Sequence, residues 1–114
     1  MKNAGFSLLE ILVALALFSI ASVALTLGVT TTIRANNTSE HLTQATILAQ
    51  DKLEALLAAA PIFTAGSDTP RVGFSRTWTI ADDTPSVGVS QIVVSISWVD
   101  HTPHTITVTT VVNE

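Results

Sequence analysis

Three places in this 114-residue sequence bring together side chains able to do chemistry. The first is Glu10, at the head of a run from Ile11 to Val29 whose only polar side chains are Ser19, Ser22 and Thr26; no further charge occurs before Arg34. A carboxylate carried to a bilayer centre costs about 2.5 to 3.5 kcal/mol, less near the interface, and is usually paired or functional where it is found. A positive charge about 4 Å away would contribute on the order of 4 kcal/mol of attraction at a near-surface dielectric, enough to offset that burial. The run holds no lysine or arginine, so the partner of Glu10 must come from elsewhere. The second place is Asp100-His101-Thr102-Pro103-His104, a weak metal-ligand pattern: two histidines three residues apart in a proline-containing turn, with His41 distant on a helix, read as an exposed turn. The third is Asp82-Asp83, where two adjacent carboxylates supply too few oxygens for calcium and read as a solvated turn. No GxSxG, HExxH, phosphate-binding loop or dinucleotide fingerprint occurs, so neither an enzyme nor a cofactor is expected.

The composition narrows the classes further. Charged residues make up 12% of the chain, against roughly 25% in soluble globular domains, which points to a membrane or a buried assembly. Five basic against nine acidic residues give a net charge of −4; with a pI near 5.1 there is no polybasic surface for a phosphate backbone, and no nucleic-acid partner is expected. The absence of cysteine excludes disulfides and thiolate metal sites. The length leaves room for about one domain.

Stepping from Glu10 to the element that must carry it, the run Ile11 to Val29 as a helix would be roughly 29 Å long, the hydrocarbon thickness of a bilayer. A chain this short cannot wrap a core around a helix that is apolar on every face. A cleaved secretory signal fits poorly, because Lys2 is the single leading charge, the run is long and no A-x-A site follows it. Beyond Arg34, Leu42, Ala45, Ala49, Leu53, Leu56 and Ala60 recur at three and four residues, which predicts an amphipathic second half of one continuous helix, stopped by Pro61. Between the halves, Asn36-Asn37-Thr38-Ser39 is a candidate bend, cap or membrane exit. Residues 61–71 read as a loop, and 72–112 alternate with period two in three segments: Val72 to Ile80, Ile92 to Trp98 and Ile106 to Val112. Short turns join them into an antiparallel meander. Trp78 and Trp98 fall at core-facing positions, and Arg76, which breaks the apolar register, is expected to snorkel at the sheet edge, the alternative being a pair with an acidic residue of a neighbour. The expected fold is α+β: a long N-terminal helix, membrane-spanning then amphipathic, packed on a small three-stranded antiparallel sheet.

The stretch Gly5-Phe6-Ser7-Leu8-Leu9-Glu10, behind the short leader Met1-Lys2-Asn3-Ala4 and ahead of the apolar run, resembles the class III signal of type IV pilins and type II secretion pseudopilins. The resemblance implies a leader at 1–5, an assembly and transmembrane helix at 6–33 and a small periplasmic domain at 34–114. It implies that a prepilin peptidase cuts after Gly5 and methylates Phe6, and that Glu10 pairs with the Phe6 amine of a neighbouring subunit. Cleavage there would remove Lys2 and leave the new amine four positions before Glu10. The implied partners are the peptidase, other pilins or pseudopilins, the inner-membrane assembly platform and the lipid bilayer. The implied location is the inner membrane, single-pass, with passage into a pilus or pseudopilus.

Within that family, Gln50 to Leu56 and Ser95 to Asp100 look most like modification-type minor pilins or the I-type minor pseudopilin. The chain departs from major pilins in lacking both a proline in the apolar run, where Gly28 is the one residue able to loosen the helix, and a cysteine-bounded C-terminal loop. It departs from the tip-capping K-type pseudopilin in having Glu10. The alternatives are an adhesive or DNA-uptake minor pilin, against which the acidic balance speaks in the second case, and a single-pass anchored domain that forms no filament.

Overall fold

The computed structural model describes residues 5–113; of the leader expected at 1–5, Met1 to Ala4 lie outside the described residues. Helix α1 (Leu8–Ala58) is followed by strands β1 (Gly66–Arg71), β2 (Phe74–Ala81), β3 (Val89–Val99) and β4 (Pro103–Asn113). The strands form one antiparallel sheet in the order β1-β2-β3-β4. The chain divides after Asn37 into two compact units.

The first unit is helix alone beyond Ser7, and every side chain from 8 to 37 is exposed, among them Leu12, Leu15, Phe18, Ile20, Val23 and Leu27. Such a helix has no core of its own and takes its stability from what surrounds it. α1 is long and apolar enough to cross a membrane.

The second unit, from Thr38 onward, contains the whole hydrophobic core: Ala45, Ala49 and Leu56 of α1 against Phe74 of β2 and Ile92, Val94, Ile96 and Trp98 of β3. Ala45 and Ala49 are fully buried; a methyl at each contact lets the helix backbone approach the sheet, and the branched residues of β3 fill the space left. Burial alternates strictly along β3 from Val89 to Trp98, the period of two that the sequence carries. Its other face holds Ser95 and Ser97, whose hydroxyls pair with Thr107 and Thr105 of β4 at 3.2 and 3.0 Å.

Four strands replace the expected three, because 66–71, read as loop, is β1. Gly-Ser-Asp-Thr-Pro-Arg carries no apolar alternation, since five of the six residues of this edge strand are exposed. Pairing with β2 is what makes it a strand. Gly66 lies opposite Trp78, and a Cβ there would fall 2.7 Å from the indole, so glycine admits the ring. Val72, expected in the next strand, is fully exposed in the turn, with Gly73 at φ 85° beside it. Pro103 and His104, read as turn, begin β4. The helix stops at Ala58, and Leu42 and Ala60, expected on its buried face, are exposed.

Arg76 does not snorkel to the edge. Its guanidinium grips Asp68 of β1 with Nε and Nη2 at 2.7 and 2.5 Å and donates from Nη1 to the Leu48 carbonyl of α1 at 2.9 Å. One side chain thus ties the edge strand, its neighbour and the helix together.

The alternation makes neighbouring residues of β3 energetically unlike. In residues 38–114, Ile96→Ala is expected to cost about 2 to 5 kcal/mol by leaving a cavity, and Ser95→Ala less than about 1 kcal/mol. Urea unfolding of the two variants checks this.

Candidate functional site

α1 begins with a built N-terminus. The Ser7 carbonyl accepts the first helical bond from the Ile11 N–H at 3.2 Å, and its hydroxyl accepts the Glu10 N–H at 3.1 Å. Ser7-Leu8-Leu9-Glu10 is a capping box by sequence, serine at N-cap and glutamate at N3. The signal was present in the S-x-x-E spacing, but reading Glu10 for its charge alone passes over it. Near the positive end of the helix dipole a carboxylate is also favoured electrostatically. Phe6, Glu10, Ala14 and Phe18 line one shallow groove along this end of the helix. Among the described residues no basic side chain pairs with Glu10; Arg76 forms an ion pair with Asp68, and His41 and His104 lie against the Asp100 carboxylate.

The remaining polar groups of the apolar run satisfy themselves. The hydroxyls of Ser19, Ser22 and Thr26 donate to the carbonyls of Leu15, Phe18 and Ser22 at 2.8, 2.8 and 2.9 Å. Thr30, Thr31 and Thr32 repeat the pattern onto Thr26, Leu27 and Gly28. Side chains bonded to the carbonyl one turn back need nothing from hydrocarbon. Glu10 is thus the one ionisable group of the helix up to Arg34, and it lies in the helix's first turn.

The second candidate cluster is tighter than its sequence suggests. Asp100, 8% exposed, lies with Oδ1 3.1 Å from Nε2 of His104 and Oδ2 3.9 Å from Nδ1 of His41. Its carboxylate accepts the N–H of His101 and that of Thr102, and the Thr38 hydroxyl donates to Oδ2 at 3.4 Å. His41, expected to be remote, is brought by α1 to this turn. An aromatic row continues from it: His41 meets Phe74 edge-on, Phe74 lies beside Trp98, and Trp98 stacks on His104 at 5.3 Å. Among the described residues no three of His, Asp and Glu are placed to hold a metal ion. The arrangement organises the β3–β4 turn and fastens it to the first turns of the second unit. Asp82 and Asp83 are likewise engaged in a turn, accepting from the Ser90 hydroxyl at 3.0 Å and the Gly88 N–H at 2.9 Å.

Trp98 is buried as expected, and Trp78 is partly buried and packed against the same core. The Trp78 indole donates to the Thr64 carbonyl at 2.8 Å, and the Lys52 ammonium lies 3.5 Å from a ring centroid. Both are packing contacts of the second unit.

The first 26 residues match the family described as the prokaryotic N-terminal methylation motif. No curated protein and no solved structure matches the chain. The matched stretch contains Gly5, Phe6 and Glu10 and ends inside the self-satisfied part of the helix. The chain therefore carries a prokaryotic N-terminal methylation motif ahead of and within the first turns of its long apolar helix.

Hydrogen bonds from Thr102 above all, then from His101 and His104, hold the Asp100 carboxyl down at about 2 from an ordinary 3.8. The fold binds this proton more weakly than the unfolded chain does. The stabilisation is therefore complete above about pH 4 and is lost as pH falls towards 2. Asp68 acts in the same direction through its bonds to Arg76. Unfolding followed by circular dichroism between pH 5 and 2 is expected to show falling stability in the native chain and a shallower fall in Asp100→Asn.

Proposed function

We propose that this chain is a non-catalytic minor subunit of a type IV pilus or type II secretion pseudopilus. It enters the inner membrane as a prepilin, with residues 34–114 on the periplasmic side, is cleaved after Gly5 and is methylated on Phe6. It then joins the fibre through the helix of residues 6–33 and helps to initiate, cap or modify it. The observation that carries this reading is the methylation-motif match over residues 1–26, joined to an exposed apolar helix whose hydroxyls are bonded internally.

The chemistry follows from those residues. Peptidase cleavage hydrolyses the Gly5–Phe6 amide; the new Phe6 amine, deprotonated, takes a methyl from a sulfonium donor that leaves as the neutral thioether, and the resulting secondary amine is protonated again near neutral pH. In hydrocarbon that cation and the Glu10 carboxylate of a neighbouring subunit attract far more strongly than in water. Pairing them sets the axial position of one helix against the next. Ser7 supports the arrangement by capping the turn on which Glu10 sits. The minor role rests on a helix without a kinking proline and a domain without a cysteine-bounded loop.

Co-expression with a prepilin peptidase is expected to remove the leader and leave a methylated Phe6; an intact N-terminus beside active peptidase, seen by mass spectrometry, would sink the reading. The capping box separates two roles of Glu10. Glu10→Gln keeps a side chain able to cap the helix but loses the charge. It is expected to be processed normally and to enter sheared fibres at least about tenfold less, the factor that corresponds to roughly 1.4 kcal/mol. Incorporation of Glu10→Gln at the native level would refute charge pairing and leave only the cap.

A further inference from the structure

The two ends of the sheet differ in charge. At one end the turn between β1 and β2 (Val72 and Gly73, after Arg71) and the turn between β3 and β4 (residues 100–102) lie side by side, because Phe74 pairs with both Arg71 and Trp98, and Val99 with Pro103. At the other end the turn between β2 and β3 exposes Asp82 and Asp83, which share a cleft with Pro61, Ile62 and Phe63 beyond the end of α1. Of the five basic residues, Lys2 stands in the proposed leader, Lys52 lies over Trp78 and Arg76 is held by Asp68. Arg34 and Arg71 are exposed and form no ion pair among the described residues. The carboxylates at the Arg71 end are engaged: Asp100 is 8% exposed and bonded within its turn, and Glu40 accepts from the Gln44 amide at 3.1 Å.

Chain length keeps the Arg71 end close to the place where the apolar run stops. Arg34 is the first charge after that run, and Thr38 follows four residues later, a stretch that spans at most about 14 Å. The Thr38 hydroxyl donates to Asp100 at 3.4 Å, so the β3–β4 turn stays with it. Both turns carry an apolar side chain pointing at nothing in the domain, Val72 at 99% and Val99 at 72% exposure. An open cleft of about 760 Å³ lies there, walled by Arg71, Val72, Phe74, Trp98, Val99 and His104, within the size range of small-molecule sites. Ile62 and Val87 are also exposed at the far end, but beside Asp82 and Asp83, which an anionic lipid surface repels.

We infer that these two turns form a foot by which the second unit rests on the anionic phospholipid surface of the bilayer that α1 enters, before the subunit joins a fibre. The inference rests on the membrane-insertion part of the reading above. Arg71 pairs with a lipid phosphate at the mouth of the cleft, and Val72 and Val99 enter the headgroup layer. Apolar burial and attraction to anionic lipid add in contacts of this kind. Arg34 supplies a second cation at the same surface. So few groups bind weakly by themselves, but the covalent tether through residues 34–38 keeps the foot at a high effective concentration beside the lipid. The contact is therefore occupied while the chain is in the membrane and yields when the subunit is drawn out of it.

The chain contains no cysteine, so a fluorophore can be attached at one position of the full chain through Val72→Cys, Val99→Cys, Val87→Cys or Leu15→Cys. Each labelled chain is reconstituted into vesicles of phosphatidylcholine and phosphatidylglycerol in equal parts, with nitroxide lipids that quench either from the headgroup or from deep in the acyl chains. The expected result is headgroup quenching at 72 and 99 several-fold above that at 87, and deep quenching at 15. Arg71→Ala is expected to lower the ratio of resting to lifted domains, read at 99, about fivefold. Vesicles of phosphatidylcholine alone should lower it further, since Arg34 then loses its attraction as well. Deep quenching at 15 with no more headgroup quenching at 72 and 99 than at 87 would overturn the foot and leave the anchor standing. Quenching at 72 and 99 that is indifferent to both Arg71→Ala and lipid charge would also overturn it. So would signals at 72 and 99 that follow the protein-to-lipid ratio instead of the nitroxide, which would assign this end to a second copy. No deep quenching at 15 would remove the membrane reading and this inference with it.

Discussion

A helix able to cross hydrocarbon can leave no polar group without a partner, and the hydroxyls in the first part of this chain meet that condition. Its hydroxyls fold back onto carbonyls one turn earlier, and its first turn is closed by Ser7. What cannot be satisfied internally is a charge. Glu10 is left as the one charge that the helix carries before Arg34, and in the proposed assembly it is the group that would pair with another subunit.

The second unit answers to a different solvent. Its core is made by two alanines of α1 and the branched face of β3, and its other face is covered with hydroxyls that bond across strands. Serine and threonine keep that face wet without charge, which explains how so little charge suffices for a domain in water. Arg76 and Asp100 are the exceptions, each holding an edge or a turn to the helix rather than facing solvent.

Local periodicity made most of this legible. The apolar run, the Gly5-to-Glu10 spacing and the alternation of β2, β3 and β4 each lie within a few consecutive residues, so one sequence carries them. β1 was not legible, because five of its six residues are exposed and alternation never develops; its strand character comes from β2. The Arg76–Asp68 grip and the approach of His41 to Asp100 were missed for the same reason: the partners meet only after a hairpin closes or a helix packs. Ser7 is a different case. Its cap was written in the spacing and hidden by the louder role of Glu10.

The order β1-β2-β3-β4 has a consequence for how the domain comes into being. Every strand pairs with its sequence neighbour, so each hairpin closes a short loop, and folds dominated by such local contacts form quickly. As the chain is made from its N-terminus the strands emerge in the order in which they pair, and no segment has to wait for a distant one before the sheet can grow. The last strand delivered is β4, the neutral one. Its free edge comes into existence only once the rest of the sheet is ready, which shortens the time in which a nearly chargeless ribbon is loose beside other unfolded chains.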